Sequence, residues 1–509
     1  TSVHAFTEAG RAMNILILSF LSVFTIGSLT LFLINLKKIP AEHKEESVNS
    51  REFWMFIGSL VFFLASMFII AKTSIPVINS IFGTKLAPPE DVEFSYNKVM
   101  VLVALIVGLL SAVTQYFKYK HTPSGFILKK IATPTIIAAI VTILLAIFYP
   151  ITYYKQGSGF LGAVYFALFA TIYSVTANAG YIFNSLNGKI KNSGGSIAHL
   201  GFALMLAGML ISGSNKKVIS IDKFKEFVLP TTIDPLTKQQ DDPTENLNLI
   251  RQVPKQMAQY TVTYLKDSSG LESGRKYYHL SFEKKDSATG NVSESFVLSP
   301  DVYLMKNNNM SSNPDTKSYL THDVFTYISF AMNPEANEDT AQFKISDVAE
   351  GDTIFYSKGY MVLDSINKNP QINKFNIKPA GASVIAHLKL TGMDKMNYHA
   401  SPMILVDSFG LNQVDDTVYA QNLFVRFAGV TEDQKKIRIG VKESDKLIDF
   451  VTIKAFVFPY INLVRIGLIL MAIGLIISAV ERARLTDATK WPILILVSIA
   501  LFYMFLLAN

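Results

Sequence analysis

The sequence contains no cysteine among its 509 residues. This absence excludes a disulfide framework, a zinc site built on cysteine, an iron–sulfur cluster and a Cys-x-x-Cys redox centre. Any sulfur chemistry in which the chain takes part must therefore use the thiols of another molecule.

Charged residues are also scarce. They make up 17% of the sequence, against roughly 25% in soluble globular proteins. Half of the residues are hydrophobic, and the mean hydropathy is +0.30. A wholly soluble protein and a disordered chain are thereby excluded. We expect the net charge of +7 to reflect the loop lysines of a membrane protein, with no nucleic-acid partner.

Apolar stretches recur at about 20 residues, the length that a membrane-spanning helix requires. Six precede a long polar segment and two follow it. The sequence therefore predicts a polytopic α-helical membrane protein with about eight transmembrane helices. The predicted spans are residues 12–36, 53–71, 99–117, 131–154, 160–183, 196–212, 459–480 and 491–508.

The basic residues predict the orientation of these spans. Alternate loops carry most of the lysines and arginines, among them Lys37, Lys118, Lys189 and Arg482. The positive-inside rule places these loops in the cytoplasm. The long polar segment and both termini are then predicted on the outer side.

The long polar segment has the pattern of a β-rich extracytoplasmic domain inserted before the last two helices. Short alternating or β-branched runs are separated by Gly, Asn, Asp and Pro, which favours a sandwich or barrel. The predicted regions are thus 1–213 (six-helix transmembrane region), 214–456 (β-rich domain) and 457–509 (two C-terminal helices). The clearest predicted strands are residues 259–264, 353–356, 383–390, 423–427 and 436–439, and the predicted loops include 241–243 and 307–314.

One histidine lies inside a predicted span. His199 is the sole ionisable residue of the sixth span and has small neighbours such as Ala198 and Gly201. An ionisable side chain within a membrane is costly and points to a function. A neutral imidazole is a common haem-iron ligand. The alternative is a histidine capped by a loop carbonyl near the cytoplasmic end of the helix.

The remaining histidines and one arginine have plainer interpretations. His4 precedes the first span as a juxtamembrane residue, and the residues around it alone predict no ligand role. Arg465, inside the seventh span near its outer end, either snorkels to the headgroups or neutralises a carboxylate such as a haem propionate. His43 and His121 are expected to be solvated residues of the basic loops. The four histidines of the long polar segment show no metal-ligand spacing: His279, His322, His387 and His399.

Several short motifs, in order along the chain, together resemble the CcmF family, the haem lyase subunit of cytochrome c-type biogenesis (the bacterial maturation pathway called System I). They are Val3-His4-Ala5-Phe6 with Gly10-Arg11, Ser50-Arg51-Glu52, Tyr96-Asn97, Ala198-His199-Leu200-Gly201, Leu320-Thr321-His322-Asp323, and Gly467 with Met471 and Gly474.

The resemblance implies two haem sites. It assigns His199 as an axial ligand of a resident b-type haem, and His4 as a ligand of the haem in transit to the substrate. It assigns no catalytic side chain. It also implies a location in the bacterial inner membrane, with the β-rich domain in the periplasm, and the partners apocytochrome c, the haem chaperone CcmE and other cytochrome maturation proteins.

The chain also departs from the family. The tryptophan-rich external segment of the family is absent, since the only tryptophans are Trp54 and Trp491. The β-rich domain is enlarged, and the last span is an addition. Under the resemblance the chain is the C-terminal part of such a protein, and the partner histidines of His4 and His199 would lie upstream of Thr1.

The reaction implied by the resemblance is thioether formation between haem vinyl groups and the two thiols of a Cys-x-x-Cys-His segment. The absence of cysteine agrees with this chemistry, because the substrate would supply both thiols. The alternative function is a non-enzymatic membrane scaffold or permease subunit with an external β-domain. A transporter is disfavoured because the sequence shows no inverted repeat.

Overall fold

A computed structural model of the chain describes residues 11–38, 47–87, 92–151, 157–222, 241–270, 274–286, 288–304, 310–331, 339–368, 383–407, 410–445, 448–483 and 487–503. These residues form two compact units. The helical unit contains the described residues of Val3–Val218, Thr316–Phe325 and Phe456–Asn509. The β unit contains those of Ile219–Asp315 and Thr326–Ala455.

The helical unit is built from helices that match the predicted apolar stretches. Seven helical segments of the described residues are long and apolar enough to cross a membrane. The eighth predicted span overlaps α9, which has 16 residues in the part of the chain described here. The helices are α1 Arg11–Asn35, α2 Arg51–Thr73, α3 Ile75–Phe82, α4 Val92–Val113, α5 Ser124–Phe148, α6 Ser158–Gly180, α7 Gly194–Ser214, α8 Asn462–Arg482 and α9 Asp487–Phe502.

Helix α6 forms the centre of the helical unit because small residues let its neighbours approach closely. A Cβ atom on Gly108 of α4 would lie 2.9 Å from the carbonyl carbon of Ala170 in α6. The hydroxyls of Ser111 and Ser174 are 2.7 Å apart at the same contact. Hydrogen bonds of this kind satisfy polar groups where no water is present.

The β unit contains three antiparallel sheets whose strands all lie within it. One has the order β3-β4-β5-β7-β8, with β6 also on β5. A second has the order β11-β20-β19-β18, and a third β12-β13-β14-β16-β17, with β15 also on β14. The strands are β3 Lys255–Met257, β4 Tyr260–Ser269, β5 Arg275–Lys285, β6 Val292–Leu298, β7 Asp301–Leu304, β8 Met310–Asn313, β11 Lys344–Val348, β12 Thr353–Tyr356, β13 Gly359–Lys368, β14 Ser383–Gly392, β15 Asn397–Ala400, β16 Met403–Asp407, β17 Gly410–Val414, β18 Asp416–Val418, β19 Leu423–Val430 and β20 Ile437–Glu443.

The second and third sheets pack around one hydrophobic core. Met361, Leu388, Val425 and Ile439 all belong to it, and each is almost completely buried. Alternation along the strands produces this core, as in β12, where buried and exposed residues follow one another. Sandwich-like packing therefore describes this part of the β unit.

The remaining strands lie at or near the residues where the chain passes from one unit to the other. Within the β unit, β2 pairs with the first residues of β21. Within the helical unit, β1 pairs with the last residues of β21, in the register Lys217↔Val457. These strands are β1 Lys217–Val218, β2 Leu247–Ile250, β9 Asp315–Ser318, β10 His322–Ala331 and β21 Phe450–Pro459.

Each of the five clearest predicted strands overlaps an observed strand, namely β4, β12, β14, β19 and β20. The predicted loop 307–314 is wrong for Met310–Asn313, which forms β8. Its Asn and Ser residues favour turns, but Ser312 pairs with Val302 of β7 and is completely buried. Pairing with a neighbouring strand here outweighs the local turn preference.

Candidate functional site

A cleft of about 670 Å³ lies in the helical unit between α2, α4, α7 and α8. Its volume falls within the roughly 300–1,000 Å³ typical of cofactor and small-molecule sites. Apolar and aromatic side chains form most of its wall, and a few polar groups join them. The lining residues on which the argument below depends are Arg51, Trp54, Phe62, Gln115, Ser196, His199, Phe202, Met471 and Leu475.

Close contact between α7 and α8 determines where His199 lies. A Cβ atom on Gly201 would lie 2.3 Å from the backbone nitrogen of Met471. One on Gly474 would lie 2.3 Å from that of Ala198. The two helices therefore touch backbone to backbone, and no larger side chain fits at these positions. His199 lies between Ala198 and Gly201 in sequence, but its own side chain lines the cleft.

The imidazole of His199 has no hydrogen-bond partner among the described residues. Its side chain is exposed on the wall of the cleft. The loop carbonyl that would make it a merely capped histidine is not found in this part of the structure. Both ring nitrogens are thus available to a molecule in the cleft.

A polar cluster lies about one helical turn from His199. Ser196 precedes His199 by three residues on α7, an axial rise of about 4.5 Å. Its hydroxyl donates to Oε1 of Gln115 at 3.0 Å. Nε2 of Gln115 is buried without a partner in the described structure. The Arg51 side chain donates from Nη2 to the Gln115 carbonyl at 2.7 Å and from Nε to the Phe117 carbonyl at 3.1 Å.

Local sequence explains why Arg51 lies at this cluster. Ser50 is the N-cap of α2, and its hydroxyl accepts from the Phe53 backbone N–H at 3.2 Å. The Arg51 backbone N–H donates to the Lys118 carbonyl at 3.0 Å. These bonds fix the start of α2 beside the end of α4, so the guanidinium reaches the cleft.

The residues present fit one side of a haem. The cleft offers an imidazole without a protein partner and apolar walls, and these are the features of a haem pocket with a histidine ligand. Among the described residues of the helical unit the other histidines are His121 and His322, and neither lines the cleft. A second imidazole is therefore not supplied by these residues.

The other predicted site residue, His4, lies outside the described residues, and so does His43. In the β unit His279 is held between two hydroxyls, 2.9 Å from Ser268 and 2.8 Å from Ser299. Among the described residues no cluster of three or more His, Asp or Glu side chains could hold a metal ion.

Arg465 neutralises a carboxylate, as one of its two interpretations expects, but this carboxylate belongs to the protein itself. Its Nη1 donates to Oδ1 of Asp323 at 3.2 Å, and its Nη2 donates to Oδ2 at 2.5 Å. The Asp323 side chain is only 5% exposed. Asp323 lies in the motif Leu320-Thr321-His322-Asp323, so the structure joins two features that the sequence presented separately.

Sequence reasoning missed the roles of Arg51 and Gln115 in the cleft. In the sequence, Arg51 stands out only as part of a motif at the start of a span and as one of the loop cations. The available signal for Gln115 was an amide within an otherwise apolar span, one residue before Tyr116. Their convergence near His199 depends on packing between helices that are far apart in sequence.

The fold and cleft thus describe a multi-pass helical membrane protein that also carries a β-rich unit. No family model matches the chain, and no curated protein matches it. Among solved structures, a cytochrome c haem lyase CcmF is similar at 14% sequence identity and a TM-score of 0.37. The similarity covers 56% of this chain and 40% of that chain. The chain therefore spans less than half the length of that structure, and a likeness at this level defines neither fold nor function.

Proposed function

We propose that the chain binds a haem in the cleft with His199 as an axial ligand, and that it takes part in haem attachment to apocytochrome c. The observation that carries the proposal is the His199 imidazole, which lines an apolar cleft of cofactor size and has no protein hydrogen bond among the described residues. The motifs shared with the CcmF family support the choice of haem over another ligand.

In this proposal a bound resident haem supplies one-electron transfer at its iron. The chain's own residues hold and shield it. His199 would hold the iron, and Phe62, Phe202 and Leu475 would contact the apolar faces of the macrocycle from the walls of the cleft. The backbone contact between α7 and α8 keeps His199 on a rigid element, as a precise ligand geometry requires.

The haem that is attached is a substrate, and His4 is its proposed ligand. Each thiol of the apocytochrome adds across one vinyl group: a C–S bond forms, the S–H bond breaks and the proton ends on the second vinyl carbon. The addition involves no net oxidation. The chain contributes by positioning, which can replace a large entropic barrier. Because the chain has no cysteine, it cannot compete with the substrate thiols.

The proposed setting is the bacterial inner membrane, with the β unit in the periplasm. Apocytochrome c, the haem chaperone CcmE and other maturation proteins are the proposed partners. An extended apocytochrome segment could pair with a sheet edge of the β unit, since strand addition recognises such peptides.

The test is a reduced-minus-oxidised absorption spectrum of the full-length protein in detergent, beside the variants His199→Ala and His121→Ala. We expect a low-spin b-type signal in the wild type and in His121→Ala, because His121 lies outside the cleft. His199→Ala should lose the signal. An unchanged haem content in His199→Ala would refute the ligand assignment. A wild type without haem would favour the scaffold or permease subunit.

The role of His4 has a separate readout. His4→Ala should retain the b-type signal but lower the level of cytochrome c in cells, because only the haem in transit loses its ligand. Normal cytochrome c levels in that variant would refute this role and leave the assignment of His199 intact.

A further inference from the structure

Arg51 is a cation on the wall of the cleft without a carboxylate partner among the described residues. Its side chain donates hydrogen bonds to the carbonyls of Gln115 and Phe117, which are neutral. Arg465, another half-buried arginine of the helical unit, is instead neutralised by Asp323. A charge next to apolar surface is costly unless it is paired, so a counter-charge at Arg51 would be stabilising.

The neighbouring amide offers a second donor. Nε2 of Gln115 is buried without a partner, while Oε1 of the same amide accepts from Ser196. The Ser196 hydroxyl thus fixes the orientation of the amide and leaves its N–H₂ group as the free end. Leaving a buried donor unpaired is unfavourable, so an acceptor bound to this N–H₂ group would also be stabilising.

We propose that Arg51 and Gln115 bind a propionate carboxylate of the haem in the cleft. The proposal rests on the proposed function, because it takes His199 as the iron ligand. A guanidinium beside an amide donor suits a carboxylate, whose two oxygens accept both groups. Arg51 replaces Arg465 as the counter-charge for a propionate, since Arg465 is already paired.

The chemistry separates a haem carboxylate from the phosphate of an anionic lipid. Haem dimethyl ester has the same macrocycle and iron but no carboxylate charge. Its binding relative to haem therefore measures what the protein gains from that charge. If Arg51 instead binds the phosphate of a lipid, occupancy of that site depends on whether the bilayer contains anionic lipid.

The experiment titrates the haem-free full-length protein in zwitterionic lipid nanodiscs with haem and with haem dimethyl ester. The variants are Arg51→Gln, Arg51→Lys, Gln115→Leu and His199→Ala. Lys120→Gln is the matched control, because Lys120 is an exposed cation that does not line the cleft. Affinity and the absorption spectrum of the bound haem are recorded for each pair.

We expect esterification to weaken binding to the wild type and to Lys120→Gln by about tenfold or more, the usual contribution of a charged hydrogen bond. In Arg51→Gln the two ligands should bind almost equally. Arg51→Lys should keep part of the preference, because it keeps the charge. Gln115→Leu should reduce the preference and leave the spectrum unchanged.

The outcomes distinguish the two proposals. If His199→Ala binds both ligands as the wild type does, the proposed function fails. If binding depends on His199 but esterification costs Arg51→Gln as much as the wild type, the carboxylate site is refuted while the haem site stands. If the wild type shows no preference for haem over the ester in zwitterionic lipid, and anionic lipid lowers the affinity for both ligands in the wild type but not in Arg51→Gln, Arg51 binds a lipid phosphate and the carboxylate assignment is overturned.

Discussion

At the scale of single residues, the pair of Arg465 and Asp323 shows what sequence reasoning can and cannot find. An arginine within an apolar span required a partner or an escape to water. The sequence predicted either the lipid headgroups or a carboxylate, for which it could name only a haem propionate as an example. The partner is instead a buried aspartate 142 residues earlier in the chain. Nothing in the spacing of these residues indicated the pairing, because strand and helix meet only in the folded unit.

Asp323→Asn should destabilise the protein strongly. The substitution leaves the Arg465 guanidinium without a counter-charge, and breaking a buried ion pair typically costs about 3–5 kcal/mol. Because 19% of the Arg465 side chain is exposed, we expect about 3 kcal/mol, the lower end of that range. Thermal unfolding in detergent measures the loss.

The control for this prediction is Lys389→Met. Lys389 pairs with Asp364 at 2.7 Å, but 61% of its side chain is exposed. Exposed pairs contribute about 1 kcal/mol or less, so this variant should unfold near the wild-type temperature. An equal loss of thermal stability in Asp323→Asn and Lys389→Met would show that burial does not strengthen the pair of Arg465 and Asp323.

Asp267 gives a prediction about pH in the β unit. Burial alone raises the pKa of Asp267, but the hydrogen bond and charge of Lys276, with the charge of Arg251, outweigh it and hold the pKa below its usual value. The carboxylate therefore stabilises the folded state above its unfolded pKa of about 3.9. That contribution disappears as the pH falls through the folded value.

Asp267→Asn should therefore weaken β4 and β5 at pH 6 by about 1 kcal/mol, and the difference from the wild type should shrink towards pH 3. Hydrogen–deuterium exchange of these strands, compared at each pH, measures it. Glu432→Gln is the control, because this exposed residue has no ion pair in the described structure. A difference that stays constant down to pH 3 would contradict the prediction.

At the scale of secondary-structure elements, apolar length predicted where the helices are but not how closely they pack. The glycines of α7 at positions 194, 201 and 208 each lie against α8. In the sequence they were visible only as small residues around His199. Their common partner helix begins 248 residues after α7 ends (462 − 214 = 248), and no local pattern identifies it.

Gly201→Ala should separate α7 from α8. The added methyl group would lie 2.3 Å from the Met471 nitrogen and 2.6 Å from the Gly467 carbonyl oxygen, so the backbone itself must move. Overpacking commonly costs about 1–3 kcal/mol, and a backbone contact leaves little room to adapt. We expect a lower unfolding temperature and, if His199 binds haem, a lower haem content.

The matched control is Gly213→Ala on the same helix. A Cβ atom at Gly213 meets nothing within 4 Å. Alanine also has a higher helix propensity than glycine, so this variant should be as stable as the wild type or slightly more stable. If Gly201→Ala behaved in the same way, close packing of α7 on α8 would not be required.

At the scale of the whole molecule, hydropathy and strand patterning predicted most of the architecture. Within the described residues, seven of the eight predicted spans correspond to helices long and apolar enough to cross a membrane, and the polar segment forms sheets. The division into units was harder to predict. Residues 316–325 lie inside the polar segment but pack with the helices, because Asp323 and the Tyr319 carbonyl bind residues at the start of α8.

The predicted orientation can be tested with single cysteines, since the chain has none of its own. Ile190→Cys and Met393→Cys place one thiol in the loop between α6 and α7 and one in the β unit. Both native side chains are exposed, at 50% and 78%. Neither substitution removes a lysine, so the charge pattern that predicts the orientation is unchanged.

A membrane-impermeant maleimide added to intact spheroplasts should label Met393→Cys at once, because the β unit is predicted outside. Ile190→Cys should be labelled only after the membrane is permeabilised, because its loop carries Lys189 and Lys191 and is predicted in the cytoplasm. The cysteine-free parent chain gives the background. The reverse pattern would invert the predicted orientation. Labelling of both sites in intact spheroplasts would overturn the alternation of the spans.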